Sequence, residues 1–182
     1  GGTPDTSAMQ YWNGPHPFIT GADITDLYVK ESRSTLTDEG LNSPKTERCA
    51  SGDVLIVSRT RVGRVGIAAT TLAVSQDVSV LKLKPDFNPK YVALFLLSYA
   101  AKLQAASQGA TIKGLTRHYL ENIQLQLPEE ISEQEKLADE VEQRLLAIWK
   151  MRNAAECQLE AIDALNGATL RNYFQFGAVT NA

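Results

Sequence analysis

The stretch GDVLIVSRTRVGRVGIAA, residues 52–69, decides the fold class of this chain. It opens with the β-branched run Val54–Val57, which is typical of a buried strand, and closes with a second apolar run over 65–69. Between the runs lies a glycine-containing loop that carries three arginines: Arg59, Arg61 and Arg64. The pattern predicts two paired strands joined by a cationic loop.

The surrounding sequence predicts a β-rich domain with one buried helix. Residues 1–50 are rich in Gly, Pro, Thr and Asp, which favours loops and short strands, and 78–83 has the alternation of a further strand. Asn88-Pro89 is a helix start, because Asn caps and Pro suits the first helical position; we expect a largely buried helix over 90–107. Alternation over 123–127 predicts a last strand with one wet face, ended by Pro128.

The composition changes after Pro128, where the sequence predicts a long helix. Ser132 and Glu135 have the spacing of a capping box, and no Pro or Gly follows before Asn166-Gly167. A helix over 132–165 would be roughly 50 Å long at 1.5 Å per residue. A heptad seam runs along it: Val141, Leu145, Ile148, Arg152, Ala155, Leu159, Ile162 and Asn166. Pairing with another helix is favoured over a core helix of an intramolecular bundle.

These elements predict an α+β fold in two parts. Residues 1–128 form a β-rich mixed domain, and 129–182 form a long coiled-coil-forming helix and its tail. The formal net charge is −3, but 1–127 holds 13 Lys and Arg against 11 Asp and Glu, whereas 128–182 holds 5 against 10. The arginine loop therefore lies in the mildly basic part, and a local patch of this kind can attract nucleic acid despite the net charge.

Several classes of function are disfavoured by the sequence. No apolar run reaches the length of a membrane span, and two distant cysteines, Cys49 and Cys157, indicate a reducing cytoplasm and no disulfide framework. His16 and His118 lie outside any metal-binding spacing, so no metal site and no cofactor are expected. A hydrolase that uses Cys49 is kept as a minor alternative. The sequence favours a binding protein.

Two loops carry the candidate nucleic-acid contacts. In the first, the arginine forks suit phosphates or a guanine edge, and interleaved hydroxyls can donate to phosphate oxygens. The second, QGATIKG at 108–114, offers amide, hydroxyl, ammonium and backbone N–H groups. The candidate DNA-contacting residues are Ser58, Arg59, Thr60, Arg61, Arg64, Gln108, Thr111, Lys113 and Arg117. Solvated charges on a hairpin tip and an ordinary helix-to-strand connection are the alternative interpretations.

Six blocks in order resemble one family. They are GGTPDTSAMQYWNG, ITGADIT, GDVLIVSRTRVGRVG, VSQDVSVLKLKP, QGATIKGLTRHYLENIQLQLP and SEQEKLADEVEQRL. Together they resemble the target-recognition domain and following conserved helix of a type I restriction–modification specificity subunit, over Gly1 to about Phe174. The resemblance implies a non-catalytic subunit that reads double-stranded DNA for a partner adenine methyltransferase and a restriction subunit.

The chain departs from the family pattern in its number of domains. A full-length member has two recognition domains separated by antiparallel helices, whereas this sequence has one domain and one helix, and its start at GGTP lacks the usual preceding strand. We therefore expect either a fragment of a longer subunit or a half-subunit that forms a homodimer. The expected dimerisation residues are Val141, Leu145, Ile148, Arg152, Leu159 and Ile162. The alternative function is a protein–protein adaptor whose helix recruits partners without binding DNA.

Overall fold

The computed structural model of the chain describes residues 2–108 and 114–174. The chain forms two compact units, residues 1–138 and 139–182. The strands are β1 Trp12–Ile19, β2 Tyr28–Val29, β3 Ser34–Leu36, β4 Glu47–Cys49, β5 Val54–Val57, β6 Val65–Ala68, β7 Leu72–Val74 and β8 Val78–Leu81. The helices are α1 Asp38–Leu41, α2 Pro89–Ser98, α3 Ala100–Gln108, α4 Arg117–Glu121 and α5 Ile131–Phe174.

The described strands form two four-stranded sheets with both parallel and antiparallel pairs. Their orders are β3-β1-β7-β4 and β2-β6-β5-β8. In the first sheet β1 pairs parallel to β7, and in the second β2 pairs parallel to β6, while the other neighbours are antiparallel. Two mixed sheets followed by a long helix confirm the predicted α+β class.

The predicted strand pair lies at the centre of the second sheet. β5 and β6 are antiparallel, with Leu55 opposite Gly66, and every residue of both strands is buried. Burial on both faces explains why the two runs are continuously apolar and show no alternation. One face packs in a cluster with residues of the first sheet, including Ile19 and Leu72, and the other packs beneath α2 and α3, with Val92 and Leu96.

The predicted buried helix begins where expected but is divided in two. The Asn88 side chain accepts a hydrogen bond from the Tyr91 N–H, and Pro89 is the first helical residue, as predicted. The α2 helix ends at Ser98, and α3 starts at Ala100, with Tyr99 between them. Tyr99 stacks on Phe95 with ring centroids 4.7 Å apart, and Lys102 lies 4.4 Å above the same ring. The expectation of one helix over 90–107 was therefore wrong.

The segment after the second candidate loop also differs from prediction. A short helix, α4, follows Thr116, whose hydroxyl accepts a hydrogen bond from the Tyr119 N–H. Residues 123–127 do not form the predicted strand. Their side chains do alternate between half-buried and exposed, with Ile123 and Leu125 against the core. The predicted wet face is present, but none of the strands in the described ranges pairs with this segment.

The long helix α5 starts earlier and ends later than predicted. Its first turn begins at Ile131, and the Glu130 carbonyl accepts hydrogen bonds from the next turn, so Ser132 lies inside the helix and is not its cap. The helix continues through Asn166-Gly167 to Phe174. A glycine in a helix interior costs only about 1 kcal/mol relative to alanine, which a helix of this length tolerates. The predicted capping box and the predicted end near 165 were therefore wrong.

A buried glutamine fixes the first turns of α5 within the first compact unit. Gln134 is fully buried, its amide nitrogen donates to the carbonyls of Asp86 and Pro128, and its carbonyl oxygen accepts from the Asn88 N–H. Those distances are 3.1, 2.9 and 2.9 Å, respectively. Ala138, one turn further, is 2% exposed. These contacts explain why the compact unit extends through residue 138.

The second compact unit presents an exposed apolar stripe. Five of the predicted seam residues are 42–60% exposed: Val141, Leu145, Ile148, Leu159 and Ile162. Arg152, the polar seam residue, donates to Glu156 one turn on at 2.8 Å, and this hydrogen bond raises the pKa of its guanidinium. These side chains are as apolar as those of a packed interface, yet in the single chain they are accessible to solvent.

Candidate nucleic-acid interface

The arginine loop, residues 58–64, connects β5 to β6 and is rigidly fixed at its base. The Val57 N–H donates to the Arg64 carbonyl at 2.9 Å, which closes the loop. The Ser58 N–H and hydroxyl both donate to the Asp77 carbonyl, at 2.8 and 3.2 Å. Ser58 is 6% exposed, so it holds the loop in place from beneath and does not face solvent.

The outer part of the loop has an unusual backbone conformation. Thr60 has φ +46°, a left-handed conformation that β-branched residues rarely adopt. Its hydroxyl donates to the Asp77 carboxylate over a long 3.4 Å. Strained positions of this kind concentrate at functional sites, where the surrounding structure stabilises them.

Two of the three arginines have guanidinium groups without a partner in the part of the chain that the structure describes. Arg59 and Arg61 are exposed, and neither guanidinium forms an ion pair or hydrogen bond with any residue in the described ranges 2–108 and 114–174. Each retains its five donors in the planar arrangement that matches phosphate and guanine acceptors. They are therefore available to an external anion.

Arg64 has an internal partner. It is half-buried, and its Nη1 donates to the Ile24 carbonyl at 3.1 Å. The turn before Ile24 is held by Asp23, whose side chain accepts from Thr20 and Arg33. Burial raises the pKa of that carboxyl, but the hydrogen bonds outweigh burial and leave the pKa below its usual value. Arg64 thus connects the arginine loop to a well-ordered turn.

The second candidate loop meets the arginine loop at one backbone contact. The Leu115 N–H donates to the Ser58 carbonyl at 2.7 Å. Arg117, two residues on, is exposed and bonded to Glu121 at 2.7 Å, which raises its guanidinium pKa. Thr111 and Lys113 lie outside the described residues, and Gln108 is described only as the last residue of α3. The structure thus joins the segment containing Arg117 to the loop containing Arg59.

Sequence reasoning missed two residues that shape this surface. Asp77 supplies the carbonyl and carboxylate that hold the loop, and Ile24 supplies the carbonyl that Arg64 binds. Asp77 could have been noticed as the first acid after Asp53, close in sequence to a cationic loop. Every residue has a main-chain carbonyl, so the sequence does not show which carbonyl accepts a hydrogen bond. The role of Ile24 therefore could not be predicted.

The described residues give little support to a cysteine nucleophile, a metal site or a membrane-spanning helix. Burial raises the pKa of the Cys49 thiol to about 12, so the thiolate that a cysteine nucleophile needs is scarce at neutral pH. Within residues 2–108 and 114–174, no cluster of His, Cys, Asp or Glu could hold a metal ion. Among the described helices, none is long and apolar enough to cross a bilayer.

Comparison with known proteins adds relatives of one kind. A curated specificity subunit of the type I restriction enzyme MjaIX, from Methanocaldococcus jannaschii, is 27% identical over 143 residues, which are 76% of this chain and 33% of that protein. The HsdS subunit from Thermoanaerobacter tengcongensis superposes with a TM-score of 0.64 at 22% identity, covering 82% of this chain and 35% of that one.

A second solved structure has the same fold. A chain from work on complex assembly and conformational transition of the type I R-M system superposes with a TM-score of 0.71 at 22% identity, covering 89% of this chain and 40% of its own. The present chain thus spans about a third of the length of the curated relative it matches. Residues 1–154 match the family described as the type I restriction modification DNA specificity domain. The chain therefore belongs to the type I restriction–modification DNA specificity family.

Proposed function

We propose that this chain is a sequence-specific DNA-recognition subunit of a type I restriction–modification system and reads one half of a two-part site. The observation that carries the proposal is that the guanidinium groups of Arg59 and Arg61 have no partner among residues 2–108 and 114–174, on a loop whose base is hydrogen-bonded. The curated relative is itself a specificity subunit of a type I restriction enzyme, which supports the same reading.

The proposed contact surface extends from the arginine loop to α4. Arg59 and Arg61 contact phosphates or base edges, and the exposed Thr60 hydroxyl and Arg117 add shorter and more peripheral contacts. Ser58 and Arg64 act mainly by holding the loop, because both donate to main-chain carbonyls. Gln108, Thr111 and Lys113 remain proposed contacts on the evidence of sequence alone.

The chain itself is proposed to be non-catalytic and to need no cofactor. Its role is to place DNA for an adenine methyltransferase subunit and a restriction subunit. A methyltransferase that acts on a base must take that base out of the stack, so a separate subunit that fixes the register of the duplex gives the reaction its sequence specificity.

Selection of bound duplexes from a random pool, with the methyltransferase subunit of the same system present, tests the proposal and yields the recognised sequence. Each neutralised phosphate contributes about 0.9 to the slope of log affinity against log salt. Replacing Arg59 and Arg61 with alanine should therefore weaken binding and lower that slope by up to about 1.8. Lys102→Ala, which removes a cation from α3, is the matched control. Unchanged affinity of the arginine variant for the selected duplex would contradict the assignment.

We further propose that the exposed stripe of α5 pairs with the same stripe of a second copy. From Val141 to Ile162 the seam follows a heptad spacing, and side chains this apolar are stabilised by burial against another helix. The polar seam residues Arg152 and Asn166 favour one register over others. A two-fold pair would hold two recognition domains, one for each half of a two-part site.

Sedimentation of the chain at micromolar concentration tests this pairing. Ile148→Asp or Leu159→Asp should give monomers, because each places a charge in the seam, while Ala154→Asp adds the same charge outside the seam and should leave the dimer intact. A wild-type monomer would contradict homodimerisation. A chain that pairs but binds no duplex at any salt concentration would favour the adaptor function instead.

A further inference from the structure

We infer that Gly114 is a positioning residue for Arg59, and that it joins the arginine loop and the segment 114–117 into one DNA-reading surface. This inference rests on the proposed function. It concerns a contact between two segments that are far apart in the sequence and that the candidate site brings together. Neither segment is proposed to move.

The contact at Gly114 leaves no room for a side chain. A Cβ built there would lie 2.8 Å from the Ser58 carbonyl oxygen and 3.2 Å from Cγ of Arg59. The first distance is to backbone, which cannot yield without moving the loop, and the second is to the arginine stem itself. The backbone of Gly114 thus forms part of the surface against which the Arg59 side chain lies.

The backbone conformation at Gly114 also requires glycine. Its φ is +136°, which side-chain-bearing residues rarely adopt. The next residue stabilises this contact. The Leu115 N–H donates to the Ser58 carbonyl at 2.7 Å, and Leu115 is a core residue that is only 9% exposed. Buried on one side and hydrogen-bonded on the other, this segment is a fixed support for the loop.

Arg59 gains direction from this support. Its guanidinium has no partner within the described residues, so no hydrogen bond there fixes its direction, whereas its stem lies against the backbone at Gly114. Holding a long side chain in one orientation before binding reduces the entropy that binding must overcome. A side chain at position 114 should displace this stem and take the guanidinium away from the phosphate it would neutralise, so affinity and the salt slope should both fall although Arg59 keeps its charge.

The test is binding of Gly114→Ala to the duplex selected by the wild-type chain. Affinity should fall about ten- to hundredfold, the range expected for one lost arginine contact. The salt slope should fall by about 0.9, as in Arg59→Ala. Gly52→Ala is the matched control, because Gly52 also has a positive φ of +93° but has nothing within 4 Å of a built Cβ. It should lower stability while leaving the salt slope unchanged.

A double-mutant cycle separates positioning from general damage. In an Arg59→Ala background, Gly114→Ala should lower affinity by no more than about twofold, since the side chain that it displaces is already gone. Equal effects with and without Arg59, or an unchanged salt slope, would overturn the inference. If the wild-type chain binds no duplex, the proposed function fails, which is a different result from additivity in the cycle.

Hydrogen exchange on the wild-type chain provides a measurement that does not depend on folding of the variant. The Leu115 amide should be protected in the free protein and more strongly protected with the selected duplex. The Gly52 amide, which donates to Ala68 at 2.8 Å, should not respond to DNA. Free exchange at Leu115, or no change on adding duplex, would overturn the inference.

Discussion

Replacing Gln134 with alanine should destabilise the first compact unit by about 3 kcal/mol. The change leaves three main-chain groups without their partner: the Asn88 N–H and the carbonyls of Asp86 and Pro128. Each unsatisfied buried group costs about 1–3 kcal/mol, and these bonds are only partly shielded from water, so about 1 kcal/mol each is appropriate. For a chain of this size the melting temperature falls by roughly 6 to 12 °C.

Unfolding in urea, followed by the fluorescence of Trp12, measures this cost. The chain has two tryptophans, so Trp149, which is 60% exposed, is first replaced with phenylalanine and Trp12 then reports on the first unit. Gln134→Met fills most of the same volume without the hydrogen bonds and should cost nearly as much as alanine. The exposed Gln143→Ala is the control and should stay within about 0.5 kcal/mol of the parent. A Gln134→Ala variant inside that same margin would refute the reasoning.

Three other perturbations give distinct results. Arg64→Ala should lower the free energy of unfolding in urea by about 1–2 kcal/mol, because a partly buried charged hydrogen bond is lost. It should lower the salt slope of DNA binding less than Arg59→Ala does. An equal loss of slope would make Arg64 a direct DNA contact. In the native chain a thiol reagent should modify the exposed Cys157 and spare the buried Cys49, and rapid modification of both would contradict the burial. Asp23 has a lowered pKa in the folded chain, so its stabilising contribution is present above about pH 4 and is lost as pH falls further. Asp23→Asn should therefore make the free energy of unfolding depend less on pH in that acidic range. An unchanged pH dependence would exclude this contribution of Asp23.

Sequence reasoning succeeded where structure depends on neighbours along the chain. The runs of β5 and β6, the cap at Asn88 and the long helix after Pro128 are local patterns, and each appears in the structure. The heptad seam of α5 stays a prediction. Thr116 could also have been read as a helix start, because it caps α4 and Arg117 pairs with Glu121 one turn later. That signal was present and was overlooked.

Sequence reasoning failed where a distant segment decides the result. Alternation over 123–127 correctly indicated one wet face, but a strand needs a partner, and none of the described strands pairs there. The break at Tyr99 has no Pro or Gly to mark it; it places Ala100 against the backbone of Gly63. At the candidate site, the three arginines were visible in the sequence. The Ile24 carbonyl that binds Arg64, and so distinguishes it from Arg59 and Arg61, was not.

The exposed charges of Arg59 and Arg61 have a consequence for handling the protein. Because neither guanidinium is ion-paired within the described residues, any polyanion that binds the native loop also raises the unfolding temperature. A ligand at a hundred times its Kd adds about 2.7 kcal/mol to stability. Thermal-shift screening of duplex libraries could therefore rank candidate target sequences before any other subunit has been purified, and phosphate or heparin in the buffer would mask the differences.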